Sequence, residues 1–361
     1  VKVPPRKRRT PVRREHGSQY LLVMLIAFAV SITLTRLFLQ LTGYPRLGGG
    51  ALHIAHVLWG GLLLLAASLL PLVLVNRWAR IAGAVLAGAG AGLFLDEVGK
   101  FITSTNDYFY PPAAPIVYVF FLLTVWVYIQ FRRPPQHDPR ASLYRVLEGL
   151  EEILDRDLDE DERADLIRRL LVVRGQERDP DLVRLADALL KFLQSDSVFL
   201  APRRPNPFDR LRARAEEFES RRLSPDTYRI GLAGGLAALG AFQVAGLARL
   251  LLALPAPRRL GDILAGWILE SHVSSLTALD WYAARLGSEA VIGILLIVSA
   301  LLLILRRKKS GVSAAVVGLL FSITAVNPLV FYFDQFSTIL PAAVQFLWLL
   351  LVLHYQQKYL S

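Results

Sequence analysis

Residues 92–108 read Gly92-Leu-Phe-Leu-Asp96-Glu97-Val-Gly-Lys100-Phe-Ile-Thr-Ser-Thr-Asn106-Asp107-Tyr108, placing two carboxylates and an ammonium in an otherwise apolar stretch. In lipid such charges are costly. They persist where they face a protein interior or a water-filled cavity and pair with a partner. Asp96 and Lys100 have the i, i+4 order of a helix ion pair. Glu97 points about 100° away from Asp96 on a helix, so one face cannot serve both carboxylates. If Lys100 holds Asp96, Glu97 is left to ligate a metal or carry a proton. The reverse assignment is the alternative, and Arg36 is a further cation that could join the pair.

His53-Ile-Ala-His56 has i, i+3 spacing, which sets both rings on one helix face. Together with Asp96 and Glu97 these histidines form a candidate site for zinc, iron or manganese. In that reading the metal polarises a scissile bond and activates water, and the carboxylate left unligated, Glu97 or Asp96, is the catalytic base. The competing reading has the histidines starting an interfacial helix and hydrogen-bonding nearby loops. Arg36, Lys100, Asn106 and Asp107 mark a candidate ion or substrate pathway, with a turn as the simpler role for Asp107. No HExxH, GxSxG or Walker sequence is present.

These residues need helices that cross a membrane. The chain is 54% hydrophobic with a mean hydropathy of +0.42, and the apolar residues fall in blocks near the roughly 20 residues that a helix needs to cross. The periodicity predicts spans at about Gln19–Leu41, Ala51–Val75, Ile81–Thr103, Ala113–Phe131, Tyr228–Leu254, Ser288–Leu305, Val312–Phe333 and Ile339–Tyr355. Twenty-one of the 30 acidic residues lie between Arg132 and Asp226, marking a water-soluble block of helices at about 141–155, 160–173, 181–194 and 206–222. Asp179-Pro180 and Ser224-Pro225 read as helix starts. Asp155–Glu162 lacks the glycine and spacing of an EF-hand and reads as a solvated helix start. Pro255–Gly287 reads as a long loop whose Trp267, Glu270, His272, Asp280, Trp281 and Arg285 decorate the interface or form a lid.

Arg6–Arg9, Arg77 and Arg80, the soluble block and Arg306–Lys309 all fall on one side if eight spans are counted. The positive-inside rule makes that side the cytoplasm and puts both termini there. The net charge of +11 is then a matter of topology, and no nucleic-acid partner is expected. Cysteine is absent, which excludes disulfides and thiolate metal sites. Counting helix rise from the outer ends, Asp96 and Glu97 lie roughly 9–11 Å deep, with Lys100, His53, His56 and Arg36 in the same outer band.

The halves also match. Arg36-Leu-Phe-Leu-Gln-Leu with Arg46-Leu-Gly pairs with Arg249-Leu-Leu-Leu-Ala-Leu with Arg259-Leu-Gly, and Gly92-Leu, Pro115 and Phe120 pair with Gly318-Leu, Pro341 and Phe346. Asp96 and Glu97 align with Ser322 and Ile323, so the charges belong to the first half, although Arg249, Glu289 and Asn327 share the same band in the second. The expected fold is an all-α, polytopic membrane bundle of eight helices in a parallel 4+4 duplication with a cytoplasmic helical insert. Its parts are a basic tail at 1–18, a first half at 19–131, the helical domain at 132–226, a second half at 227–355 and a tail at 356–361. The expectation is a multi-pass cell-membrane protein in the lipid bilayer, a transporter or permease. The alternatives are a metal-dependent hydrolase acting at the outer leaflet, and a sensor or assembly factor that holds a cytoplasmic protein partner through 140–225. Homo-oligomers suit any of the three.

Overall fold

The computed structural model describes residues 11–43, 56–105, 107, 110–132, 138–177, 179–202, 214, 217, 219, 224–258, 261–262, 265–266 and 276–360. Among these residues the chain is helical and has no strand. The helices that matter here are α1 (Gly17–Thr42), α2 (His56–Val73), α3 (Arg77–Asp96), α4 (Val98–Ile102), α5 (Ala113–Arg132), α6 (Pro139–Gly149), α7 (Glu151–Leu154), α8 (Glu160–Gln176) and α9 (Pro180–Leu193). They are followed by α10 (Pro225–Ala253), α11 (Leu276–Ile304), α12 (Lys308–Phe321), α13 (Asn327–Asp334) and α14 (Ile339–Tyr359).

Among the described residues, seven stretches are long and apolar enough to cross a bilayer: α1, α2, α3, α5, α10, Ala278–Ile304 within α11, and the run Lys308–Tyr359. Their exposed side chains include Leu34, Phe38, Leu69, Trp126, Phe242, Leu301 and Leu350. Apolar surface on that scale is an aggregation hazard in water and a match for lipid. This is the build of a helical, multi-pass membrane protein.

The last run has 52 residues. As one straight helix it would extend about 78 Å, against a hydrocarbon core of about 30 Å. It is not straight. A π-helical segment occupies Ser322–Val326, and a 3-10 turn occupies Gln335–Thr338, where Gln335 takes a φ of 50°. Helix α14 then packs against α12.

Contacts divide the chain into two units. One comprises Val1–Ala29, Gly61–Ala91 and Leu123–Leu211. Its helix α8 packs on both α6 and α9 around Val146, Leu158, Leu170, Val173 and Leu193. Each start has a sequence cause. Asp138 caps α6 by accepting from Arg140 N–H, Asp159 and Glu162 form a reciprocal capping box on α8, and Asp179 caps α9 with Pro180 in its first turn. Arg77 and Arg80 on α3 bind Glu152 and Glu151 on α7, each at 2.8 Å. The expected helix at 206–222 lies largely outside the described residues.

The other unit comprises Val30–Gly60, Gly92–Leu122 and Arg212–Ser361. Here α10 packs on α11, α11 on α12, α12 on α14, and α14 back on α10. The core is Leu236, Leu296, Leu303, Leu319, Ile323, Val352 and Tyr355. Ser224 caps α10 by accepting from Thr227 N–H. Arg229, buried, donates to the Leu303 and Ile304 carbonyls at the end of α11. A cation there satisfies carbonyls that have no partner within their own helix.

Two spans differ from the sequence expectation. Helix α11 begins at Leu276 and not near Ser288, so Asp280, Trp281 and Arg285 belong to this helix and not to a loop. Ion pairing makes this extension tenable, because Arg285 binds Asp334 and Glu289. The third span breaks at Glu97, which has φ −93° and ψ 9°, so it is α3 followed by the short α4.

Candidate functional site

The break at Glu97 builds the charged site. Helix α3 ends at Asp96, which frees that residue's carbonyl oxygen. Arg36 on α1 fills the position. Its Nη2 donates to the Asp96 carbonyl at 3.1 Å, and its Nε donates to Asp96 Oδ1 at 2.5 Å. The guanidinium carbon lies 3.4 Å from the centroid of the Phe336 ring, so a cation–π contact closes its other face. Arg36, Asp96 and Glu97 are 4%, 1% and 1% exposed, which is the burial that makes pairing obligatory.

Lys100 does not pair with Asp96. Its Nζ donates to Glu97 Oε1 at 2.9 Å, an i, i+3 contact within α4 and its cap. The i, i+4 expectation assumed an unbroken helix. The turn at Glu97 changes the angular spacing and hands Asp96 to Arg36. Glu97 Oε2 is buried with no hydrogen-bond partner among the described residues.

His56, at the first turn of α2, completes the cluster. Its Nε2 lies 3.0 Å from Asp96 Oδ2 and its Nδ1 lies 3.1 Å from Glu97 Oε1. One imidazole therefore bridges the two carboxylates. A neutral ring has one N–H and one bare nitrogen. Both contacts are favourable together only if the ring carries two protons, or if one carboxyl carries one. Arg36 and Lys100 flank these three groups, Arg36 on Asp96 and Lys100 on Glu97.

Five of the candidate residues, Arg36, His56, Asp96, Glu97 and Lys100, thus meet in one cluster. Asp107 is exposed beyond α4, with its backbone N–H on Thr103 Oγ1. His53 and Asn106 lie outside the described residues. Of the residues expected to hold a metal, His56, Asp96 and Glu97 are described and already contact one another. Both nitrogens of His56 already face carboxylates, Asp96 is bound by Arg36, and among the described residues no three His, Asp or Glu side chains are grouped as ligands would be.

The second unit also contains a cavity of about 740 Å³, within the size range of small-molecule sites. Arg249 and Gln243 on α10, Arg285 and Glu289 on α11, Asn327 and Asp334 on α13, and Thr338 and Gln345 line it. Arg285 forks onto Asp334, with Nη1 to Oδ1 at 2.8 Å and Nη2 to Oδ2 at 2.5 Å. At one wall Gln243, Ser322, Gln345, Asn327 and Tyr118 form a continuous hydrogen-bond chain. Sequence reasoning passed over Gln243, Gln345 and Phe336, and took Ser322 only as the counterpart of Asp96. The available signal was weak but present, since Gln243 and Gln345 are amides inside runs that are otherwise apolar.

Residues 334–338 connect the two features. Asp334, Ser337 and Thr338 line the cavity, and Phe336 lies against Arg36. No family model matches the chain, and no characterised protein or solved structure is significantly similar to it.

Proposed function

We propose that the protein is a transporter or permease that moves a small solute in exchange for, or together with, a proton. The observation that carries this reading is His56 held between Asp96 and Glu97 inside a membrane helix bundle. Ionisable groups in spans mark proton and ion pathways. This cluster abuts, through Arg36 and Phe336, the segment that lines a solute-sized cavity. A change of one proton on the bridge alters the charge facing Arg36, and Arg36 is in contact with the cavity wall segment.

The reading includes eight crossings, with α12 and α14 each counted once, and a parallel 4+4 duplication of 19–131 and 227–355. Matching interruptions support the duplication. At the offset set by Gly92 and Gly318, Asp96 ends α3 where Ser322 begins the π segment. Both termini and the helical domain at 132–226 are assigned to the cytoplasmic side of the cell membrane by charge.

Alternating access tests the proposal before any solute is known. The chain has no cysteine, so a single Ala245→Cys in the cavity wall gives a clean label. A membrane-impermeant maleimide is applied to right-side-out and inverted vesicles at acid and alkaline pH. Labelling from both faces, in proportions that shift with pH, is the expected result. Labelling from one face at every pH would count against transport.

A further inference from the structure

The direction of the hydrogen-bond chain says what the cavity requires. Gln345 Oε1 accepts from Asn327 Nδ2 at 2.9 Å and from Ser322 Oγ at 3.2 Å. Having donated its one proton, the Ser322 hydroxyl can only accept, and Gln243 Nε2 donates to it at 3.1 Å. The amide of Gln243 is thereby fixed with nitrogen in the chain and oxygen outside it. Gln243 Oε1 is buried with no donor, and so is Thr338 Oγ1. Both residues line the cavity and are 8% and 4% exposed. Buried polar atoms are rarely left in this state without an additional partner.

The lining charges are also unbalanced, with two arginines, Arg249 and Arg285, against three carboxylates, Asp262, Glu289 and Asp334. Arg285 gives both of its terminal nitrogens to Asp334. Glu289 Oε1 shares that arginine only at ion-pair range, 3.5 Å from Nε, which is buried without a hydrogen-bond partner, and its side chain is 17% exposed. Arg249 lines the same cavity but is exposed, where solvent screens its charge.

We infer that this cavity takes a ligand bearing a primary ammonium, with Glu289 as its counter-charge and Gln243 Oε1 and Thr338 Oγ1 accepting its N–H groups. A primary ammonium brings a positive charge for Glu289 and N–H donors for the Gln243 and Thr338 oxygens. A quaternary ammonium brings charge without N–H, and a carboxylate or phosphate alone would face Glu289. Leu239 and Val330 offer apolar wall to the attached carbon chain. The inference rests on the transport reading for the use made of the site, and names its substrate class. The ammonium could belong to a soluble amine or to a lipid headgroup.

The test is binding to the full-length protein. Ethanolamine, choline and acetate are titrated against the detergent-purified chain, and phosphatidylethanolamine or phosphatidylcholine is supplied in nanodiscs, with thermal stability and calorimetry as readouts. Saturable binding of ethanolamine, at least tenfold tighter than choline, supports a soluble amine. Binding of phosphatidylethanolamine alone supports the same chemistry in a lipid headgroup. Glu289→Gln should lose at least tenfold in affinity. Thr338→Val, which removes one acceptor and keeps the shape, should lose several-fold and serves if Glu289→Gln does not fold. Choline binding as tightly as ethanolamine, binding of acetate alone, or no binding of any amine would overturn the inference. Binding does not require transport. Amine binding together with one-sided labelling of Ala245→Cys sinks the transport reading alone, and two-sided labelling without amine binding sinks this inference alone.

Discussion

Lys100 Nζ donates to Glu97 Oε1, and the Asp96 carboxylate one residue earlier belongs to Arg36. The two pairs differ in burial, with Arg36 and Lys100 side chains 5% and 25% exposed. Removing one partner of a buried pair leaves an uncompensated charge, which costs about 3–5 kcal/mol. Arg36→Met should therefore unfold far more readily than wild type in a thermal melt followed by tryptophan fluorescence. Adding Asp96→Asn should recover much of the loss. Lys100→Met, nearer the solvent, should cost about 1 kcal/mol or less. Equal losses for the two cations would contradict this ranking.

A second prediction concerns helix contact in the second unit. A Cβ built on Gly240 would stand 2.5 Å from the Gly293 carbonyl oxygen, and one built on Gly293 would stand 2.5 Å from the Gly240 carbonyl oxygen. Here α10 and α11 touch backbone to backbone, as small residues allow between helices in lipid. The atoms that would be hit are backbone, so no side chain can swing aside. Gly240→Ala or Gly293→Ala should each lower stability by about 1–3 kcal/mol. The double variant should cost less than the sum, because the first substitution already separates the helices.

The helical block of the first unit should respond to pH. Burial pushes the Glu152 carboxyl up to about 7, Glu162 and Asp157 push the same way, and Arg77 opposes them. The folded value lies above the ordinary 4.5, so the folded state holds the proton more tightly than the unfolded chain. The stability this contributes is complete below pH 4.5 and is lost as pH rises through about 7. Glu152→Gln should remove that dependence, leaving stability unchanged at pH 4 and raising it at pH 8 by about 1–3 kcal/mol. His16 acts in the other direction. Burial first, and Arg77 next, lower its value below 6.5, so its contribution is full above 6.5 and falls as pH drops below it. Hydrogen exchange of the α8 amides across this range separates the two.

The apolar helices and the helix starts at Asp179 and Ser224 were legible because each rests on a local rule. A lipid-length apolar run and an Asp-Pro or Ser-Pro helix start are each read within a few residues. The gathering of Arg36, His56 and Asp96 was also legible, since charges in lipid must find one another. What was not legible depended on backbone geometry. The turn at Glu97 exchanges the partners of two carboxylates, and no residue type there announces it. The cavity went unread for a different reason. Its acceptors are the neutral amides Gln243 and Gln345, and Asp334 and Arg285 meet across 49 positions of sequence. Neutral groups give no cost signal in the sequence until their partners are known.

The last prediction concerns how the charged cluster reaches the cavity. Phe336 is buried in the 3-10 turn between Asp334, which holds Arg285, and Thr338, which lines the cavity and whose buried hydroxyl has no partner. Its ring takes the open face of the Arg36 guanidinium. If the His56 bridge loses or gains a proton, Arg36 feels a changed carboxylate environment and can pass that change only through what it touches. Phe336→Leu keeps apolar volume in the turn and removes the ring face that attracts the cation, a contact worth about 2 kcal/mol when desolvated. In the Ala245→Cys background this substitution should leave labelling of the cavity wall intact while flattening its dependence on pH. His56→Gln should flatten the same profile by removing the shared proton at its source. A Phe336→Leu profile that still follows wild type would mean that the cluster and the cavity communicate by another route.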